Sequence, residues 1–225
     1  MKRLALMLCG VFIAAVTTTA ALAADLSRPS YKAPVYVAPG FSWSGFYVGI
    51  NAGYGWGNVS FSDPVTGNFT DKATGWLAGG TVGYNLQTGS WVWGVEGDID
   101  YSTIKVTDTT VCTAPGCQVR NDWLGTARGR IGYAGWGNWL PYITGGAAIG
   151  DMKFTNPSGV SENHTKLGWT LGAGVEYAFM GAWSVKAEYL YADLGSVSCS
   201  SATCGPSSTI KMPLNIARLG VNYRF

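Results

Sequence analysis

Eight times along this chain, apolar residues alternate with glycine or polar residues at a period of two, in segments of about 10 residues. That period belongs to an extended strand with two unlike faces. Strands of this kind must pair edge to edge, and each apolar face must be covered by something other than water. The segments cover residues 45–56, 74–86, 91–102, 122–134, 139–150, 166–179 and 183–193, with a last one ending at Phe225. In the first, Phe46, Val48, Ile50, Ala52, Tyr54 and Trp56 share one face, and Tyr47, Gly49, Asn51, Gly53 and Gly55 share the other. Residues 87–90, 135–138 and 180–182 read as tight turns, whereas 57–73, 103–121, 151–165 and 194–208 read as long polar loops. Short turns at one end and long loops at the other predict an all-β fold: an eight-stranded antiparallel up-and-down barrel crossing a membrane.

The N-terminus belongs to export rather than to this sheet. Lys2 and Arg3 precede an apolar run over residues 4–16, and Ala21-Leu22-Ala23 forms a small-x-small cleavage site, so residues 1–23 read as a signal peptide. Residues 24–43 contain Pro29, Pro34 and Pro39 and read as a Pro-rich periplasmic linker, leaving 44–225 for the barrel. Cleavage removes two of the 15 basic residues and none of the 13 acidic ones, so the mature chain is balanced in charge. Cys112, Cys117, Cys199 and Cys204 remain, in two C-x4-C pairs within the long loops. An exported chain with an even cysteine count predicts disulfides. Two local bridges are the simplest of three connectivities, with a four-thiolate metal site as the alternative. A single His and the absence of a charge block argue against a histidine metal site and against a nucleic-acid surface.

Alternation alone does not say which face meets water, since a soluble ligand-carrying barrel alternates too. Three features favour apolar residues outside. The polar face is dense in glycine (Gly49, Gly53, Gly79, Gly83, Gly168, Gly172 and Gly174 among others), a poor strand former but one that fits the narrow interior of a closed eight-stranded barrel. The same face carries Glu96, Asp98, Asp100, Glu176 and Glu188 against Arg128, Arg130, Lys186, Arg218 and Arg224, an equal count of opposite charges suited to an enclosed network. The aromatic residues also fall into two bands. Phe46, Tyr84, Trp91, Tyr133, Trp139 and Trp183 lie toward the short turns, and Tyr54, Trp56, Trp76, Tyr101, Trp123 and Trp169 toward the long loops. Two bands separated by aliphatic residues match interfacial girdles.

The last strand ends Leu219-Gly220-Val221-Asn222-Tyr223-Arg224-Phe225, apolar at every second position and aromatic at the terminus. With Leu219, Val221, Tyr223 and Phe225 so placed, it resembles the C-terminal assembly signal of Gram-negative outer-membrane barrels. Together with Phe41-Ser42-Trp43-Ser44-Gly45-Phe46-Tyr47-Val48-Gly49 and Pro141-Tyr142-Ile143-Thr144-Gly145-Gly146, the chain is similar to the small "porin family", OmpA-like surface-antigen proteins of alphaproteobacteria. The resemblance implies a location in the outer membrane, insertion by its assembly machinery, and contact with outer-membrane lipid and lipopolysaccharide. The chain departs from full OmpA proteins after Phe225, where no peptidoglycan-binding domain is expected. A water-filled porin channel needs about 16–18 strands, which this chain cannot supply.

The function expected is structural: envelope integrity and surface exposure, without a cofactor, a metal or an enzymatic activity, since no G-x-S-x-G nucleophile motif occurs. Two alternatives stand beside it. One is a narrow ion-conducting pore through the charged interior. The other is capture of haem, a small ligand or a host or environmental surface by the loops, with His164 as the haem ligand.

Overall fold

The computed structural model of the protein describes residues 41–63, 67–108, 117–155, 161–198 and 209–225. It contains eight strands: β1 (Gly45–Asp63), β2 (Gly67–Thr88), β3 (Trp91–Asp108), β4 (Cys117–Tyr133), β5 (Trp139–Thr155), β6 (Ser161–Met180), β7 (Trp183–Ser198) and β8 (Thr209–Arg224). Each strand pairs antiparallel with the next, and β8 returns to β1 through pairs from Tyr47↔Arg224 to Ser62↔Thr209, so the sheet closes into a barrel. Closure removes the two free edges that an open sheet of these strands would expose. The turns 89–90 and 181–182 join strands with Gly89 and Gly181 at φ 61° and 50°, a left-handed conformation that a residue with a Cβ adopts only at a cost.

The apolar face points out. Ile50, Leu167 and Leu219 are 72%, 72% and 64% exposed, values that no aqueous surface would tolerate over a continuous belt. Cross-strand ring pairs bound this belt. Phe46–Tyr84, Trp139–Tyr177 and Trp183–Tyr223 lie 4.7, 4.6 and 5.0 Å apart at the turn end, and Tyr54–Trp76 and Trp169–Tyr191 lie 5.2 and 5.4 Å apart at the other. Between the rings only aliphatic and small residues face outward. That is the surface a bilayer requires.

The four long loops expected from the sequence are shorter than that reading. β1 runs on to Asp63 and β2 begins at Gly67; β5 runs on to Thr155 and β6 begins at Ser161. The ladder continues unbroken past the girdle, as in Asn58↔Lys72, Val59↔Asp71 and Ser60↔Thr70. The cause lies in polarity. Beyond the girdle the two faces exchange character: Asn58, Lys72, Thr103 and Lys105 point out, whereas Val59, Ala73, Ile104 and Val106 are buried inside. A sheet that is greasy outside within lipid becomes one that is greasy inside within water; β3 keeps its alternation through this point, whereas β4 shifts by one residue, with Leu124 and Asn121 both buried. Pairing slips between Tyr101 and Ile104, between Arg120 and Leu124, and between Asp193 and Ser196, all near this transition.

Candidate functional site

The lumen is where the fold concentrates ionisable chemistry. Strand parity puts Glu96, Asp98 and Asp100 of β3, Arg128 and Arg130 of β4, Glu176 of β6, Lys186 and Glu188 of β7, and Arg218 and Arg224 of β8 on the inner face. None of the ten is more than 7% exposed. Interior glycines make room for them. A Cβ on Gly79 would collide with the Ile99 carbonyl oxygen and the Asp100 carboxylate, and one on Gly83 with the Tyr47 ring.

Arg128 and Arg218 are the hubs. Arg128 forms an ion pair with Glu96, opposite it in the β3–β4 register, and reaches Asp98 at 2.8 Å and Glu188 at 2.9 Å. Arg218 crosses the lumen from β8 to donate to Glu188 at 2.7 Å, Asp98 at 2.9 Å and Asp100 at 3.0 Å. Lys186, fully buried, donates to Glu96 at 2.9 Å. Nearer the turns, Arg130 donates to Glu176 at 2.7 Å and lies 4.0 Å over the Tyr142 ring. Arg224 is more loosely held: 3.8 Å from Glu176, with its guanidinium 4.9 and 4.8 Å over the rings of Phe41 and Trp43. Isolated, each of these ions would cost several kcal/mol to bury; here charge neutralises charge in one connected network.

Neutral donors complete it, and the sequence reading missed them. Tyr47 donates to Glu96 at 2.7 Å, Tyr142 to Glu188 at 3.0 Å, and Thr126 to Asp98 at 2.7 Å, while Asn222 donates to Glu176 at 3.1 Å. Their signal was present: Tyr47 and Tyr142 are large polar rings on faces made mostly of small residues (Gly49, Gly53 and Gly55; Thr144, Gly146 and Ala148), where an inward partner accounts for their size.

Apolar layers close both ends of the network. At the turn end Trp43, Val92, Leu140 and Ala178 pack together with Phe41 and Ala134 against them. Trp43 is fully buried, and its backbone N–H donates to Gln87 Oε1 at 2.8 Å. Residues 41–43, assigned to the linker from sequence, therefore plug the barrel mouth. At the hairpin end Leu77, Ile104, Leu124, Leu190, Leu214 and Ile216 belong to a second, larger apolar cluster.

The remaining predicted residues are placed as follows. Leu219, Val221, Tyr223 and Phe225 face outward on or just after β8, where Ala52↔Leu219, Ile50↔Val221 and Val48↔Tyr223 pair across the closing seam. Cys117 opens β4, whereas Cys112, Cys199 and Cys204, like residues 1–23, expected to be a signal peptide, and residues 24–40, lie outside the described residues. His164 is exposed on β6, opposite Met152 of β5 and away from the network. Among the described residues no group of three or more His, Cys, Asp or Glu side chains is arranged to hold a metal ion.

Comparisons with known proteins agree with this architecture. The chain is 37% identical to the 31 kDa outer-membrane immunogenic protein of Brucella melitensis, over 95% of this chain and 97% of that protein. It is 34% identical to the 25 kDa outer-membrane immunogenic protein of Brucella abortus, over 91% of each chain. Among solved structures, the outer membrane protein OprG from Pseudomonas aeruginosa superposes with a TM-score of 0.50 at 14% identity, covering 81% of this chain and 97% of that one. The family description "Outer membrane protein beta-barrel domain" matches residues 12–225. A closed eight-stranded sheet, greasy outside and ionic within, with relatives of this kind along nearly its whole length, places the chain in the outer-membrane β-barrel domain family and in the outer membrane.

Proposed function

We propose that this protein is a non-enzymatic, non-conducting structural barrel that stiffens the outer membrane and holds its four long hairpins at the cell surface. The observation that carries this reading is the stacking of the lumen: an apolar stopper around Trp43, a paired ion network, then an apolar core around Ile104 and Leu214. Conduction needs a continuous wet path. Here an ion would have to push through both dry layers and break pairs that neutralise one another. The ionisable side chains are held by each other, which suits a rigid filling better than acid–base turnover.

Purified protein reconstituted in planar bilayers should therefore give no stepwise current; sustained single-channel openings would refute the closed-lumen reading. A second result concerns orientation. An epitope tag inserted at residue 65 should bind antibody on intact cells, while the same tag at residue 137 should bind only after the outer membrane is permeabilised. The reverse pattern would place the long hairpins in the periplasm.

A further inference from the structure

Hydrogen-bond donors in the lumen are unevenly satisfied. Around the hubs, Arg128 and Arg218 each donate through all three guanidinium nitrogens, and Lys186 donates to Glu96. Toward the turns the pattern breaks. Trp43 Nε1, Asn85 Nδ2, Arg130 Nε, and Arg224 Nε and Nη2 are buried donors with no hydrogen-bond acceptor among the described residues. None of these four side chains is more than 7% exposed.

The four gather at one end. Asn85 pairs in register with Gly45 of β1 and Gly94 of β3, and Gly94 pairs with Arg130. A Cβ on Gly94 would meet both the Asn85 amide oxygen and the Arg130 side chain, so glycine keeps the space between them open. Arg224 flanks Gly45 from the β8 side, where a Cβ would lie 3.6 Å from its Cγ, and its guanidinium sits 4.8 Å over the Trp43 ring. Charge is uneven in the same way. Arg130 and Arg224 have one carboxylate between them, Glu176, at 2.7 and 3.8 Å. The next, Glu96, is 3.6 Å from Arg130 and already holds Arg128 and Lys186. The turn-end layer therefore carries one positive charge in excess. The balancing negative charge lies with Asp98, Asp100 and Glu188 around Arg218. Asp100 stands six residues past Gly94 on β3, roughly 15 Å along the barrel axis at about 3.3 Å per residue and about 40° of tilt.

Water does not balance such a layer. Each water that accepts from these groups brings two O–H donors of its own, and the side-chain acceptors left unfilled there are the Asn85 and Asn222 amide oxygens. An ion that only accepts brings no donors, and its charge offsets the excess. We propose that the turn-end lumen holds one compact anion, a halide such as chloride, between Arg130, Arg224, the Trp43 indole N–H and the Asn85 amide. Arg224 Nη1 donates to the Ser42 carbonyl at 3.0 Å, so the ion also fastens residues 41–43 in the barrel mouth. It is a fixed structural ion, held between the apolar stopper and Glu176.

Crystals of the refolded barrel soaked in bromide should show one anomalous peak between Arg130 and Arg224. The peak should vanish in Arg224→Gln and weaken in Trp43→Phe, which removes the N–H and keeps a ring. In urea, wild type should unfold on the order of tenfold more slowly in chloride than in gluconate of equal ionic strength. Both variants should lose most of that difference, whereas Arg120→Gln, far away at the hairpin end, should keep it. Absence of a bromide peak together with equal rates in the two salts means water only and overturns the site. A peak that survives Arg224→Gln undiminished means an adventitious ion only and overturns it too. The unboiled gel shift checks that each variant is folded; if neither folds, the wild-type peak and rate difference decide alone.

Discussion

Replacing Arg218 with Ala should cost the folded barrel about 3–5 kcal/mol, the penalty for breaking a buried ion pair from one side. The expected size follows from what is left behind. Arg218 donates to Glu188, Asp98 and Asp100, and its removal leaves Asp98 and Glu188 sharing Arg128, with Asp100 losing its only ion-pair partner among the described residues. All three acids are no more than 7% exposed, so water cannot take the guanidinium's place without entering the lumen. Arg218→Lys, which keeps the charge and loses the fork, should fall between wild type and Ala. Arg224→Ala is the contrast. Its nearest carboxylate is 3.8 Å away and it lies at the mouth, so it should cost clearly less. Equilibrium unfolding in urea from lipid vesicles, followed by tryptophan fluorescence, measures all three. A loss below about 1 kcal/mol for Arg218→Ala would mean the network is filler that relaxes freely.

On the other face, Ile50→Arg should cost about 2–4 kcal/mol, and Asn58→Arg about 0–1 kcal/mol, although both sit on the outside of β1. Ile50 is 72% exposed, four residues from Phe46 of one girdle and four from Tyr54 of the other, so it marks the bilayer midplane. Asn58 lies two residues past Trp56, in the zone where outward residues turn polar. The comparison isolates depth, because strand, face and introduced side chain are the same. Refolding into vesicles of fixed thickness avoids any effect on cellular assembly. Equal costs at the two positions would mean that the wall between the girdles does not face acyl chains.

Much of this could be read from the sequence because a strand's parity is local information. Ile50 and Asn51 must point opposite ways, whatever the rest of the chain does, so the outer belt, the inner ions and the two aromatic bands were all legible. Which inner residues meet across the lumen was not. Glu96 and Arg128 are register partners on neighbouring strands, but the contacts of Arg218 with Asp98 and Asp100 join β8 to β3 through the interior, and alternation carries no information about that. The hairpin extensions were missed for a different reason. Residues such as Thr103 and Lys105 read as loop because they occupy the face that had been apolar, while Ile104 and Val106 occupy the one that had been polar. β3 keeps its alternation through that point while its surroundings change from lipid to water. Residues 41–43 were hidden behind the prolines before them, and only the fold shows Trp43 seated in the mouth.

The extended hairpins have a consequence in height. From Trp76 to Gly67 β2 runs nine further residues, about 30 Å along the strand and roughly 20 Å along the barrel axis. That lifts the end of the first hairpin well clear of the headgroup layer on a ladder in which β1 pairs with β2 as far as Asp63↔Gly67 and with β8 as far as Ser62↔Thr209. In the orientation proposed, whatever a neighbouring cell or molecule would first touch is carried on a stiff mast, separate from the hull below.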